Sequence, residues 1–392
     1  MTTDMERAEA GLERARRCRW ADVGRSAHPD AATAGREAAR SALASSDDDA
    51  RLLLVFASSD YDLHRLTAAI GDVAAGVPVV GCSSAGEISE SGPAHGSVLV
   101  IALGGDGFTF SATAVSASAD PRDAGARAAA CVGDVADREH RVLLLLSDGP
   151  TSRQPDVVRG AYSVAGAGVP LVGGLAGRRA RPARPSLIFG GAVLEDAVIG
   201  IAIGSDAPLG VGVRHGWRPV GEPMLVTRAT PERVMELDGR PAAEVYRERL
   251  GGRQAVDMTL AHPLGMQRRV GEAHVRWVAD DGAQDGSLDA CVAAGAMVWL
   301  MESDADGVKD ATDAACREAL DGLGGEPALA LLAFDCNARL LFLGDGVGDE
   351  VARLARHADG AALAGLYTFG EIARTRGSAG FHEQTLVVLA LA

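Results

Sequence analysis

Two segments of this chain repeat almost letter for letter, and that repeat constrains the fold more than any other feature. Residues 75–82 read Ala-Gly-Val-Pro-Val-Val-Gly-Cys, and residues 167–174 read Ala-Gly-Val-Pro-Leu-Val-Gly-Gly. The flanking apolar runs recur in the same order: 51–58 with 141–147, and 95–104 with 196–204. The first half of the chain is therefore predicted to contain two copies of a strand–helix–strand–loop–strand unit.

A weaker third occurrence lies near the end of the chain. Its apolar runs and its helix fall at Ala328–Phe334, Glu350–Ala358, Ala361–Ala364 and Thr385–Leu391. Strands that alternate with helices favour parallel pairing, and strand pairs without an intervening helix require some antiparallel edges. The predicted fold class is α/β, a two-domain mixed-sheet architecture built from internally repeated strand–helix–strand–loop–strand units.

The predicted domain limits lie where these patterns change. Residues 1–22 are predicted to be a charged N-terminal tail, 23–215 a first domain with two internal repeats, and 222–392 a second domain. Alanine alternates with charged residues over 1–48, which predicts one or two amphipathic helices there.

Composition excludes some classes of partner. The chain has 392 residues and a net charge of −15, so it repels nucleic acid and anionic lipid. Its six cysteines are scattered, which is typical of free thiols in a reducing compartment. The N-terminus lacks the apolar region of a signal peptide, and no apolar run is long enough to span a bilayer. We therefore expect a cytoplasmic protein.

The motif Gly-x-x-x-x-Gly-Glu-Ile occurs twice, at 81–88 and at 365–372, each time after a short apolar run. A polar, glycine-bounded turn at the end of a buried strand is a common place for a binding pocket. The candidate ligand-binding residues of the two loops are Cys82, Ser83, Ser84, Glu87, Thr368 and Glu371.

Each of these loops also has an interpretation in which its residues are structural and bind no ligand. The glutamates could cap a neighbouring element instead of binding a ligand, and the two interpretations stay open. Cys82 lacks a local histidine to activate it, so packing is favoured over nucleophilic catalysis.

A third, related loop at 173–177 lacks the glutamate and is followed by Arg178, which begins a basic cluster that extends to Arg184. That cluster could bind an anionic group or could be a solvated loop. His215 and Trp217 lie in the segment Arg-His-Gly-Trp-Arg-Pro, which suits recognition of a carboxylate or a planar group. Alternatively, the segment is an interdomain linker that the tryptophan anchors. His262 precedes a proline-fixed turn and is a candidate haem or metal ligand, although no paired histidine spacing supports a zinc site.

Several motifs in order resemble the FIST family of bacterial sensory domains, which has N- and C-terminal parts. The resemblance covers about residues 23–392 and is carried by the following segments: Gly81–Ile88, His215–Pro219, Glu236–Ala242, Pro263–Gly265, Phe334–Arg339, Gly365–Ile372 and His382–Thr385. It implies a protein that senses a small ligand, with amino acids proposed, and signals to a partner. Some members are described as haem proteins that sense nitric oxide and regulate histidine kinases.

This chain departs from the family pattern at two positions. The family usually carries aspartate where Arg178 stands, and asparagine where Glu383 follows His382. The arginine argues against an amino-acid ligand and suits an anionic one, haem propionates included.

Two hypotheses follow. In the first, the chain is a stand-alone, non-enzymatic sensor that binds a small ligand, such as an amino acid or an organic acid, between its two parts and signals to a separate protein. In the second, it is a haem-binding nitric oxide sensor that regulates a histidine kinase or a cyclic-di-GMP enzyme. His262 or His215 would then be the axial ligand, and Arg178–Arg184 would contact the propionates. The cofactor itself stays unknown.

Overall fold

Three sheets of six strands each carry the repeated unit, and a fourth sheet is inserted into the third copy. The structure, a computed structural model, describes residues 19–44, 49–117, 119–179, 184–251, 262–266, 273–375 and 380–392. The first unit consists of β1 (Trp20–Ser26), α1 (Ala31–Ala42), β2 (Ala50–Ser58), α2 (Leu63–Ala74), β3 (Val79–Ser84), β4 (Glu87–Ser89), β5 (Gly92–Ala94) and β6 (Val98–Gly104).

The second unit repeats this order of elements and confirms the internal repeat predicted from the sequence. It consists of β7 (Phe108–Ser116), α3 (Pro121–Ala128), a 3-10 helix (Ala129–Val135), β8 (His140–Ser147), a 3-10 turn (Thr151–Arg153), α4 (Gln154–Ala165), β9 (Leu171–Leu175), β10 (Leu187–Phe189), β11 (Ala192–Leu194) and β12 (Ala197–Ser205).

The third unit begins with β13 (Leu209–Arg214) and is then interrupted. The interruption, called here the inserted sheet, consists of β14 (Arg218–Ala229), β15 (Arg233–Leu237), β16 (Arg240–Pro241), α5 (Ala242–Leu250), β17 (Leu264–Met266), β18 (His274–Arg276), β19 (Leu288–Asp289) and β20 (Met297–Glu302). The unit resumes with α6 (Ala305–Asp321), β21 (Ala330–Cys336), α7 (Asn337–Leu343), a 3-10 turn (Gly344–Gly346), α8 (Val347–Ala358), β22 (Ala362–Thr368), β23 (Glu371–Arg374), β24 (Phe381–His382) and β25 (Leu386–Leu391).

Each unit donates its short hairpin to the sheet of another unit. The hairpin β4–β5 of the first unit pairs with β22 of the third. The hairpin β10–β11 of the second pairs with β3 of the first, and β23–β24 of the third pairs with β9 of the second. The exchange is cyclic, so the three sheets are tied into one framework.

The two faces of each sheet bury different sets of side chains. In β2, Leu52, Leu54 and Phe56 belong to a central core that all three sheets share, whereas Leu53 and Val55 pack against the unit's own helices. Successive side chains of a strand point to opposite faces, so a continuous apolar run is buried on both sides. This accounts for the unbroken apolar runs that mark each repeat.

The glycine and isoleucine of the repeated motif face each other across the exchanged hairpins. Gly365 is paired with Ile88, and Gly173 is paired with Ile372. A Cβ atom at Gly173 would lie 2.0 Å from the Leu145 carbonyl oxygen, so only glycine fits there. The glycine of the motif is therefore required by the close approach of two strands as well as by a turn.

The helix predicted within 1–48 is only partly correct. Residues Ala31–Ala42 form α1, but Trp20–Ser26 form a strand, and 1–18 lie outside the described residues. This strand pairs with β6 along its whole length, and such tertiary pairing overrides local propensity. The domain limits at 23–215 and 222–392 stay predictions. The strand β13, which falls within the first range, pairs with β25, which falls within the second.

Candidate functional site

The loops that follow β3, β9 and β22 meet at one end of the central core, and we call this meeting point the three-loop junction. The Ala85 backbone N–H donates to the Tyr367 carbonyl at 3.0 Å, and the Tyr367 N–H donates to the Gly86 carbonyl at 2.8 Å. The Leu175 N–H donates to the Gly370 carbonyl at 2.8 Å. The related loops therefore do converge, but backbone hydrogen bonds join them directly.

Ser83 completes the junction between the first and second loops. Its hydroxyl donates to the Gly177 carbonyl at 2.7 Å and accepts the Ser186 N–H at 3.0 Å. The side chain is fully buried, as is that of the neighbouring Cys82, which lies in the central core. Burial raises the pKa of the Cys82 thiol far above its ordinary value, which keeps it protonated. Both residues hold the framework together.

Glu87 is completely buried and is engaged by groups of its own unit. It accepts hydrogen bonds from the Ser84 hydroxyl, from the Ser97 hydroxyl at 2.6 Å and from the Ser97 N–H at 3.2 Å. Burial raises the pKa of Glu87 to about 7, and the bonds from Ser84 and Ser97 act in the opposite direction. The carboxyl group fixes the turn that leads into β6.

Glu371 makes related contacts in the third unit, with one hydroxyl in place of two. It accepts the Thr368 hydroxyl at 2.6 Å and the Thr385 N–H at 3.1 Å, and it has no solvent exposure. Burial raises the pKa of Glu371 to about 8. The two glutamates of the repeated motif are thus equivalent, and each holds the backbone N–H at the start of the closing strand.

The second unit uses a different residue to accept the backbone N–H at the start of its closing strand. Strand register places Leu187 where the other units have their glutamate, because Leu187 pairs with Cys82 as Glu371 pairs with Gly174. Asp148, at the end of β8, instead accepts the Ala197 N–H at 2.7 Å. Burial raises the pKa of Asp148 to about 6. The carboxylate that holds this turn is therefore part of the framework in all three units.

A cavity of about 680 Å³ lies beside the junction, between the framework and the inserted sheet. The second unit contributes residues 150–152 and Arg178, the third unit contributes 336–338, Leu341, Thr368, Phe369 and Glu383, and the inserted sheet contributes Glu232, Trp277 and 289–291. Of the predicted ligand-binding residues, Arg178 and Thr368 line this cavity. Cys82, Ser83, Ser84, Glu87 and Glu371 lie in the framework behind it, and their role in ligand binding stays a prediction.

Side chains of both charge signs line the cavity. The Arg178 guanidinium lies over the Phe369 ring, 5.7 Å from its centroid, on the framework side. Glu232 and Asp289 lie on the side of the inserted sheet. Glu383 is 7% exposed, and burial raises its pKa to about 7 while the Arg276 guanidinium acts to lower it.

His215 and Trp217 brace the joint between the framework and the inserted sheet. The His215 Nε2 lies 3.0 Å from the Ala273 carbonyl oxygen, and its Nδ1 accepts the Trp217 N–H at 2.8 Å. The Trp217 indole donates to the Gln384 carbonyl at 3.3 Å and packs edge-on against Phe342. Neither side chain is among those that line the cavity.

His262 occupies the end of a short described segment. It is buried, and its Nδ1 lies 3.2 Å from the Met301 carbonyl oxygen. It lies outside the cavity lining, as His215 does. In the part of the chain that the structure describes, no cluster of three or more histidine, cysteine, aspartate or glutamate side chains could hold a metal ion. Nothing in this geometry favours either histidine as an axial haem ligand. Of the basic cluster, Arg181 lies outside the described residues.

Sequence reasoning left several lining residues out of the candidate site. Trp277, Asp289, Cys291 and Glu383 were not among its candidates, and the structure brings them together from separate strands and turns. One signal was present, because Glu383 departs from the family pattern and lies in a run of four polar residues that are all buried. The other three come from the inserted sheet, whose docking no local pattern reveals.

Comparison with known proteins assigns the family. The FIST N domain matches residues 51–240, and the FIST C domain matches residues 242–374. Uncharacterised proteins of Mycobacterium bovis (Mb0898c) and Mycobacterium tuberculosis (Rv0628c) are 28% and 26% identical, each over 63% of this chain. The alignment with the M. bovis protein spans 66% of that protein, just under two thirds of its length.

Among solved structures, a cyanuric acid hydrolase from A. caulinodans aligns over 95% of this chain and 99% of its own, with 11% identity and a TM-score of 0.37. A likeness of that size carries no argument about function. In the ranges described, no helix is long and apolar enough to cross a membrane. The two family matches together cover most of the sequence, so this chain belongs to the FIST family, whose domains are associated with sensory signal transduction.

Proposed function

We propose that this chain is a sensory protein that binds a small ligand in the cavity between its N- and C-terminal parts. The observation that carries the proposal is the composition of the cavity wall. Residues 150–152, Arg178 and Glu232 come from the stretch that matches the FIST N domain. Trp277, 289–291, 336–338 and 368–369 come from the stretch that matches the FIST C domain. A ligand there would contact both parts at once.

The two departures from the family pattern support the same cavity. Arg178 and Glu383 are far apart in sequence, yet both line it. Substitutions that alter charge at two points of one pocket change which ligand fits it, because an unpaired charge in a closed site is costly. This chain would thus combine the family fold with pocket charges that differ from the family pattern.

We propose that the chain binds its ligand without catalysing a reaction. The protonated state of the cavity thiols supports this. Burial raises the pKa of Cys336 far above its ordinary value, and it also raises the pKa of Cys291. A thiol is a nucleophile only as the thiolate, so neither cysteine is poised to attack a substrate.

The signal would pass to a separate protein, such as a histidine kinase, in the cytoplasm. The negative net charge of −15 disfavours nucleic acid as that partner. The five cysteines in the described ranges are all free, which suits a reducing compartment.

The alternative of a haem-based nitric oxide sensor finds less support. Both ring nitrogens of His215 face backbone groups, and neither His215 nor His262 lines the cavity. Within the described ranges, both histidine rings have contacts with backbone groups, which favours neither as an axial ligand. A visible absorption spectrum after haem addition tests this directly, since a Soret band that is lost in His215→Ala or His262→Ala would restore the alternative.

A thermal-shift screen of small amines, amino acids and organic acids tests the main proposal. A ligand that binds only the native state raises the unfolding temperature in a saturable way. The increase should disappear in Phe369→Asp, which places a charge on the cavity wall, and should persist in Val164→Asp, a control at an exposed apolar position remote from the lining residues. Persistence of the increase in Phe369→Asp would place the ligand elsewhere.

A further inference from the structure

Glu383 is a carboxyl group that its surroundings bury and satisfy only in part, since it accepts the Trp277 backbone N–H on one side. It is 7% exposed and lines the cavity, and its Oε2 has no hydrogen-bond partner within the described residues. The nearest cation is Arg276, whose Nε lies 3.9 Å from that oxygen, too far for a hydrogen bond. Buried polar groups are nearly always hydrogen-bonded, so such an oxygen on a cavity wall needs an explanation.

The backbone around Glu383 holds it in place. Gln384 has a φ of 54°, a left-handed conformation that is unfavourable for a residue with a side chain. Its carbonyl accepts the Trp217 indole N–H, and the next N–H, that of Thr385, donates to Glu371. These contacts fix the turn from both sides. Glu383 is therefore presented to the cavity by a strained and well-anchored turn.

The surroundings of Glu383 are those of a site for a positive charge. Asp289 and Glu232 add two more carboxyl groups to the lining, and Trp277 adds an aromatic ring. Arg178 is the one basic residue among the lining residues that the structure describes, and its guanidinium already lies over Phe369. Carboxylates beside an indole are a common environment for a bound organic cation.

We infer that the cavity binds a small organic cation, an ammonium or amidinium group on an apolar body, and that the unpartnered oxygen of Glu383 accepts its N–H. This inference rests on the proposed function and names the ligand class of the same cavity. In the sequence analysis, Arg178 suggested an anionic ligand. The carboxyl groups that the structure adds to the lining reverse the balance of charge.

Three probes of nearly identical shape test the inference: benzamidinium, benzamide and benzoate, which carry a positive charge, no charge and a negative charge. Binding to the full-length protein is measured by calorimetric titration. We expect benzamidinium to bind best. Glu383→Gln, which preserves shape but removes the charge, should weaken benzamidinium binding by roughly 10- to 100-fold, the usual effect of losing a charged hydrogen bond. Asp289→Asn should weaken it less.

Arg178→Gln is the matched control, since it removes the opposite charge from the same cavity. It should make benzamidinium binding tighter, because it removes a charge of the same sign as the probe. Unfolding of each variant without a probe shows whether it is folded. Equal binding of all three probes, or of benzamidinium to the protein and to Glu383→Gln, overturns the inference.

The remaining outcomes separate the inference from the proposed function. Tighter binding of benzoate, lost in Arg178→Gln, overturns the inference and leaves the cavity as a ligand site. If none of the three probes binds, the inference fails, and the proposed function fails with it only if the wider thermal-shift screen is also negative.

Discussion

Glu371 and Glu383 both lie near the turn before β25, since Glu371 accepts the Thr385 N–H and Glu383 is two residues away, but they differ in their contacts. Both are buried, and burial raises the pKa of Glu371 to about 8 and that of Glu383 to about 7. The oxygens of Glu371 accept bonds from Thr368 and Thr385, whereas one oxygen of Glu383 accepts none within the described residues and lines a cavity. A raised pKa is therefore common to both carboxyl groups, and hydrogen-bond satisfaction is what separates them.

Replacement of each glutamate by alanine should separate the two roles most strongly. Glu371→Ala leaves the Thr385 N–H buried without its acceptor, so we expect it to lower the free energy of unfolding by about 2–4 kcal/mol. Glu383→Ala leaves the buried Arg276 guanidinium without its counter-charge, but Oε2 of Glu383 is unpartnered and 3.9 Å from it, so we expect a smaller loss of about 1–2 kcal/mol. Urea denaturation measures both, with Glu87→Ala expected to resemble Glu371→Ala. Equal losses at 371 and 383 would remove the distinction.

The pH dependence of stability should reveal the protonated state of Glu371. Its folded-state pKa of about 8 lies above the ordinary value of 4.5, so the native state binds the proton more tightly than the unfolded state does. Its stabilising contribution is complete below 4.5 and is lost as the pH rises towards 8. Glu371→Gln should remove roughly 1–3 kcal/mol of this decline. The other buried carboxyl groups are common to both proteins, so the difference in calorimetric stability isolates Glu371. An identical pH profile in the variant would contradict the assignment.

Asp148 tests whether the second unit depends on its own carboxylate in the same way. Asp148→Ala leaves the Ala197 N–H without its acceptor, but Asp148 is only partly buried, so water can replace the lost group. We expect a loss of about 1 kcal/mol in the free energy of unfolding. Chemical denaturation of Asp148→Ala and Glu87→Ala under the same conditions gives the comparison. A loss of unfolding free energy as large as that of Glu87→Ala would mean that water does not replace the lost acceptor.

Arg178 should matter least to stability. In the ranges the structure describes it makes no ion pair, and its contact with the Phe369 ring is at a partly exposed site. Arg178→Gln should therefore change the free energy of unfolding by no more than about 0.5 kcal/mol. A thermal melt without ligand measures this, and a substantial loss would show that Arg178 belongs to the framework, as Glu371 does.

The sequence predicts the repeated units well because their signals are local. Apolar runs buried on both faces, such as Arg51–Ser58, and the glycines that allow close strand approach recur at fixed places in each copy. The exchange of hairpins could not be predicted in this way. Whether β4 pairs within its own unit or with β22 depends on how the three sheets meet, and no residue of the hairpin specifies that.

The site was predicted only in part, for a related reason. Glu87 and Glu371 accept backbone N–H groups in the structure, which agrees with the capping alternative, and their role in ligand binding stays a prediction. Arg178 and Thr368 lie in the cavity, but the opposite wall comes from Trp277 and Asp289. Those residues lie in a sheet that has its own core, and only its docking gives them a shared role.

The cyclic exchange of hairpins also determines when this protein can finish folding during synthesis on the ribosome. The second sheet receives its last two strands from residues 371–374 and 381–382, near the C-terminal end of the sequence. Until those residues emerge, β9 presents an unpaired edge, and such edges invite pairing with other chains. The first two units are therefore protected from aggregation only once residues 371–382 have been synthesised and have paired with β9.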